Sequence, residues 1–296
     1  MGYRHFRTHR SRTQRLVDFV YSFRKPRNQI LLGVTAAGCY SYYRAHLENV
    51  PYTNRRRMID MRREDELKLG ESQFSQLKNQ FRGHVLSQAS PPSRRVERIG
   101  RRIARVSEQD DYDWEFVVFE RAEPNAFCLP GGKIGVFTGM LDLADTDDEL
   151  AAVLAHEVGH AVARHSAEQV SRMFLLIPVR LLMAFILDTY VLNDILVNLF
   201  ILLPSSRRNE MEADYIGLRL MTKACYDPHG SPAIFTKLGE YAKRNPMKIP
   251  EYLSTHPADD RRITTLEGLL PEVLEEYETQ CSPSVRRFSR MSAFSL

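Results

Sequence analysis

The segment His156-Glu157-Val158-Gly159-His160 carries two histidines four residues apart with a carboxylate beside the first. On a helix, residues four apart share a face, so both imidazoles can reach one ion. Zinc accepts neutral imidazole nitrogen at about 2.0–2.1 Å and makes water a nucleophile near neutral pH. Glu157 then has the position to take a proton from the attacking water. This pattern points to metal-assisted hydrolysis with Glu157 as general base.

A catalytic zinc needs a third protein ligand and one open position. His165 is the local candidate. The pattern that would recruit a third histidine wants Gly three and His six residues after His160. Those positions are Ala163 and Ser166. On a continuing helix His165 would point about 180° away from His156, and we expect it to be an ordinary surface or core histidine. Glu210-Met211-Glu212-Ala213-Asp214 offers another source. Glu210 and Asp214 are four apart and share a face, whereas Glu212 falls on another and is expected to meet solvent. Spacing alone leaves two readings open. Glu210 can bind metal while Asp214 orients a ligand histidine, or both belong to a charged helix face near Arg207 and Arg208.

The positioning elements are legible. Thr146-Asp147-Asp148-Glu149 fits a capping box that opens a helix through the His156–His160 motif. Nothing in the sequence breaks that helix until well past His165. Before it, the alternation around Trp114–Glu120 reads as a strand. Asn125–Leu129 and Lys133–Phe137 read as two more, joined by a Pro130-Gly131-Gly132 turn. A small antiparallel sheet is expected. Helices are expected over 64–110 with a break at Pro91-Pro92, and from about Ser206 to Lys223. Further ones follow Ser231-Pro232 and His256-Pro257, and the last opens at Pro271.

The chain has 296 residues and a net charge of +4. Residues 1–63 hold 14 Arg or Lys against Asp18, Glu48 and Asp60, a local +11, which leaves the remainder at −7. A basic leader ahead of a mildly acidic body argues for targeting or membrane contact and against nucleic-acid binding. Residues 1–28 resemble a mitochondrial transit peptide. Phe6 excludes N-myristoylation. Ile30–Tyr43 is an apolar run flanked by Arg27 and Arg44, short for a span but suited to an anchor across residues 29–44. Residues 173–203 form a second apolar stretch, broken by Pro178, Arg180, Asp188, Asn193 and Asp194. It reads as two half-length hairpin helices or as a plain hydrophobic insert. Cys39, Cys128, Cys225 and Cys281 form no closely spaced pair, which argues against cysteine–zinc chemistry, and a chain this long has no need of disulfides. Residues 282–296 read as a loose tail.

HEVGH followed by EMEAD resembles the HtpX and CAAX-prenyl-protease family of membrane zinc peptidases. Further matches are Asn125-Ala126-Phe127, Pro130-Gly131-Gly132-Lys133-Ile134, and Ser254-Thr255-His256-Pro257 followed by Arg262. The resemblance covers about residues 45–275, and its mitochondrial inner-membrane members fit best. It implies Glu210 as third ligand of one Zn2+ per chain, with Asp214 behind a ligand histidine. Asn125, Ala126 and Phe127 would lie on an edge strand that pairs with extended substrate. His256 and Arg262 would approach the metal and stabilise the oxyanion.

The expected fold is therefore α+β: a zincin-like core of the gluzincin type, mostly helical with a small antiparallel sheet, plus an N-terminal anchor. Residues 45–281 would form the peptidase domain. The resemblance further implies membrane-protein substrates, contact with the lipid bilayer, homo-oligomers and a catalytic domain facing the intermembrane space. Two other function classes fit parts of the pattern. One is an HtpX-type or prenyl-protein protease of another membrane, and the scarcity of apolar spans disfavours the prenyl-protein protease. The other is a non-catalytic membrane scaffold, which Glu157 disfavours.

Overall fold

Thr146 sets the start of the central helix: its side chain accepts from the Glu149 N–H, and Glu149 reaches back to the Thr146 N–H. The reciprocal bonds satisfy two donors that a helix start leaves open. The computed structural model describes residues 21, 25–174, 203–245, 251–257 and 260–281. The basic leader apart from residues 21 and 25–28, most of the 173–203 stretch, and the 282–296 tail lie outside these residues.

The described chain runs α1 (Pro26–Ala45), β1 (Leu47–Asn49), β2 (Arg56–Met58), α2 (Arg63–Gln80), α3 (Pro91–Val106), β3 (Glu115–Phe119), β4 (Ala126–Leu129) and β5 (Lys133–Phe137). It continues with α4 (Thr138–Leu143), α5 (Asp147–Val162), α6 (Leu203–Lys223), α7 (Gly230–Arg244), α8 (Glu251–Thr255) and α9 (Asp260–Cys281). Residues 165–174 are also helical. Contacts divide the chain into two units. One holds residues 1–48, 56–60 and 168–205; the other holds 49–55, 61–167 and 206–296.

In the first unit α1 displays Ile30, Val34, Tyr40, Tyr42 and Tyr43 to the outside. Among the described residues no helix is long and apolar enough to cross a membrane. Arg57 pairs with Glu48 at 2.8 Å, and the Asp60 N–H donates to Ser171 Oγ at 2.9 Å.

The second unit is built on a sheet of order β3-β5-β4. The sheet is mixed, which corrects the antiparallel expectation. The glycine turn makes β4 and β5 an antiparallel hairpin, but β4 lies on the far side of β5, so β5 runs parallel to β3. Alternation along β3 divides the core. Phe116 and Val118 join the large cluster with Val96, Ile99, Ile103, Leu150 and Leu154. Val117 and Phe119 pack on the other face with Phe74 of α2 and Phe137. Helix α5 packs against α3, α7 and β4.

Three local expectations change. Helix α5 ends at Val162: Ala163 is its C-cap, and Arg164 takes a left-handed φ of 47°. Arg164 Nε binds the buried Glu66 at 2.7 Å and its Nη2 binds Met61 O, which holds the turn. Pro271 lies inside α9 instead of opening a new helix. It is exposed, as is Glu267, whose carbonyl loses its donor and can be hydrated. Cys225 and Cys281 form a disulfide between the end of α6 and the end of α9. Among the described residues, Cys39 and Cys128 are free.

Candidate metal centre

Helices α5 and α6 approach closely at two glycines. A Cβ on Gly159 would lie 2.8 Å from Ala213 O, and one on Gly217 would lie 2.9 Å from His156 Cα. That contact brings the His156–His160 face of α5 against the Glu210–Asp214 face of α6. His156 Nε2 and His160 Nε2 are 3.1 Å apart. Glu210 Oε2 lies 3.3 Å from His156 Nε2, and Glu210 Oε1 lies 3.4 Å from His160 Nε2. Three donors bound tetrahedrally at zinc distances are separated by about 3.3 Å. The match is a direct test of fit.

Electrostatics give the same answer. Burial alone would raise Glu210 and Asp214, but the neighbouring His160, His156 and Arg262 outweigh it and lower both. Burial pushes His160 well below its ordinary value. Burial also works against protonating His156, yet its bonds to Asp214 and Glu210 carry it up to about 9. The two carboxylates thus favour positive charge beside them. A metal ion would take the place of the proton that the carboxylates otherwise recruit.

Asp214 Oδ1 is 2.9 Å from His156 Nδ1, the ring nitrogen that faces away from the cluster. Asp214 is gripped by Arg262 through Nε and Nη2, both at 2.7 Å. Arg262 also donates to Pro257 O at 2.9 Å and lies over the Phe235 ring. Arg262 Nη1 is 3.3 Å from Glu210 Oε2. His256 enters the same cluster: its Nδ1 is 2.9 Å from Glu210 Oε2 and 3.3 Å from His156 Nε2. His156, His160, Glu210 and His256 each offer one atom, all within 4.8 Å of one another, and could together hold a metal ion.

Glu157 is buried, and burial raises its carboxyl above the ordinary value. Oε2 accepts from the Cys128 N–H at 3.1 Å. Oε1 has no hydrogen bond among the described residues, and His256 Nε2 stands 3.7 Å away. Such an oxygen is open to receive a proton. Cys128 is on β4, an edge strand of the sheet. Phe137 N–H donates to Asn125 O, so by antiparallel alternation residues 125, 127 and 129 turn their backbone groups toward β5. Ala126 and Cys128 turn theirs outward, on the edge where Glu157 lies.

Two residues lie elsewhere than helix geometry places them, although His165 is, as expected, a buried histidine outside the metal cluster. His165 does not continue α5. The turn at Arg164 swings it back, so that its Nδ1 is 2.8 Å from His160 Nδ1. Ala163-Arg164 carries neither Gly nor Pro, so no local signal announces that turn. Glu212 is buried rather than solvated. It accepts from Arg55 Nε at 2.9 Å and Nη2 at 2.6 Å, and from Thr53, and lies 3.0 Å from His165 Nε2. Burial opposes its charge, but the bonds from His165, Arg55 and Thr53 win and lower it to about 2.

Residues 90–270 match the sequence profile of peptidase family M48. A mitochondrial metalloendopeptidase OMA1 of Schizosaccharomyces pombe is 39% identical over 86% of this chain and 76% of its own length. The Saccharomyces cerevisiae protein of that name is 35% identical over 85% of this chain and 77% of its own. A human relative, metalloendopeptidase OMA1, mitochondrial, is 28% identical over 88% of this chain and 54% of its own. With a family match across most of the second unit and a buried donor cluster of zinc dimensions inside it, this chain belongs to peptidase family M48 and is a zinc-dependent metalloendopeptidase.

Proposed function

We propose that this chain cleaves membrane proteins at the mitochondrial inner membrane, in quality control or stress response. His156, His160 and Glu210 hold one zinc ion and Glu157 is the general base. The observation that carries the assignment is the convergence of three donors at zinc spacing beside the Glu157 oxygen that has no hydrogen bond among the described residues. When bound, zinc supplies Lewis-acid polarisation of the scissile carbonyl and lowers the pKa of water. The chain's own groups do the rest. Glu157 Oε1 takes the proton of the attacking water and delivers it to the leaving amine. Asp214 fixes the His156 tautomer and is itself fixed by Arg262. His256 faces the reacting carbonyl and stabilises its developing charge, with Arg262 adding positive field from behind Glu210 and Asp214. Asn125, Ala126 and Phe127 form the strand on which extended substrate lies, with Ala126 offering its outward backbone groups.

The mitochondrial reading draws support from the names of the relatives. The Cys225–Cys281 bridge suits an oxidising compartment and favours a catalytic domain in the intermembrane space over the reducing matrix. The apolar surface of α1 supports contact with the bilayer. Homo-oligomers follow from the family resemblance. The test is a purified full chain assayed for zinc and for cleavage of an unfolded membrane-protein substrate. About one zinc per chain and cleavage that stops with chelator and returns with added zinc are expected. Metal-independent cleavage, or none with zinc bound, would refute the reading.

A further inference from the structure

We propose that His165 and Glu212 form a relay that positions the metal-binding imidazole of His160, and that Thr53 and Arg55 anchor its far end. The inference rests on His160 being a zinc ligand. The chain of contacts is continuous: His160 Nδ1 to His165 Nδ1 at 2.8 Å, His165 Nε2 to Glu212 Oε2 at 3.0 Å, and Glu212 to Arg55 and Thr53.

Tautomers make the chain directional. His160 turns Nε2 into the cluster, so a ligand role leaves its proton on Nδ1. That N–H must donate to His165 Nδ1, since two bare ring nitrogens at 2.8 Å repel. His165 then carries its own proton on Nε2 and donates it to Glu212, which is an acceptor only. One carboxylate thus dictates both ring states and leaves the His160 lone pair facing the metal. Asp214 Oδ1 stands 2.9 Å from His156 Nδ1, so each ligand histidine has a carboxylate behind it, one at first hand and one through a second imidazole.

The far end is built to hold still. Residues 50–55 form a tight loop closed by Val50 N–H to Arg55 O at 2.8 Å and Asn54 N–H to Val50 O at 2.9 Å. Tyr52 and Asn54 adopt left-handed φ values of 66° and 52°. The loop meets α6 twice, at Glu212 through Thr53 and Arg55 and at Lys223, which lies over the Tyr52 ring. Arg55 donates from Nε to Glu212 Oε1 at 3.0 Å and from Nη2 to Oε2 at 2.6 Å, a fork that fixes the carboxylate plane. Neither the HExxH motif nor the ExxxD motif requires any of these four residues.

The experiment measures zinc affinity by chelator competition, the visible spectrum of the cobalt(II)-substituted protein, and the melting temperature of the metal-free protein. His165→Ala and Glu212→Gln should each weaken zinc binding about 10–100-fold and alter the cobalt spectrum. Their double variant should be no weaker than His165→Ala alone, because both act through one chain. Arg55→Ala, at the periphery, should weaken zinc binding a few-fold, and it keeps the test available if the buried variants do not fold. Zinc affinity within twofold of the unaltered protein in the folded variants, with only the melting temperature lowered, would reduce these residues to packing and overturn the relay. His160→Ala separates the two layers. If it loses zinc while the relay variants keep it, the relay alone fails; if it keeps zinc, the ligand assignment fails first.

Discussion

At the scale of single residues, the proposed role of Glu157 separates binding from turnover. Its Oε2 is occupied by the Cys128 N–H, so only Oε1 is available to move a proton. Glu157→Gln preserves size and the hydrogen bond to β4 while removing the base. It should retain zinc and fold, and lose more than ~10²–10⁴ in kcat. A variant keeping a tenth of the rate would contradict the assignment. Glu210→Gln tests the opposite property. A neutral amide replaces the carboxylate that faces both imidazoles, so chelator competition should show clearly weaker zinc retention. Full zinc occupancy in Glu210→Gln would remove Glu210 from the ligand set.

Helices α5 and α6 deliver those residues, and their separation is set by Gly159 and Gly217. Neither glycine is needed for a left-handed turn; each is needed because the other helix is already there. Gly217→Ala forces a methyl to 2.9 Å from the backbone of His156, so the helices must part. Overpacking of this kind costs ~1–3 kcal/mol and should lower the melting temperature by about 2–6 °C. It should also weaken zinc binding, because Glu210 and Asp214 move with α6. Unchanged zinc affinity in Gly217→Ala would show that the site does not depend on this approach.

Two predictions belong to the whole molecule. The Cys225–Cys281 bridge joins positions 56 apart in sequence and ties α9, which carries Arg262, to the end of α6. Closing a loop of that length stabilises by about 2–4 kcal/mol. Reduction should lower the melting temperature by roughly 4–10 °C. An unchanged melting curve under reductant would show that packing alone holds α9. The second prediction concerns the membrane. The exposed apolar side chains of α1 motivate the expectation that the protein resists carbonate extraction and that deleting residues 29–44 reduces this. If the intact protein is wholly released by carbonate, the anchor reading fails.

The sequence by itself determined the chemistry and the helix that bears it. HExxH spacing, the Thr146 capping box and the Pro130-Gly131-Gly132 turn are local signals, each set by residues within a few positions, and each reappears in the fold. The resemblance pointed to Glu210 and Asp214, which spacing left open between ligand and surface, and the structure places both against His156. Tertiary structure alone decided what required distant chain. The β3–β5 pairing is parallel because β4 occupies the far edge, which no local pattern encodes. The turn at Arg164 depends on Glu66, 98 positions earlier, so His165 could not be placed from its own neighbours. Glu212 looked solvent-facing on a helical wheel, but a wheel does not know that residues 53 and 55 will cover that face. A helix's own geometry says which residues share a face; only packing says what that face meets.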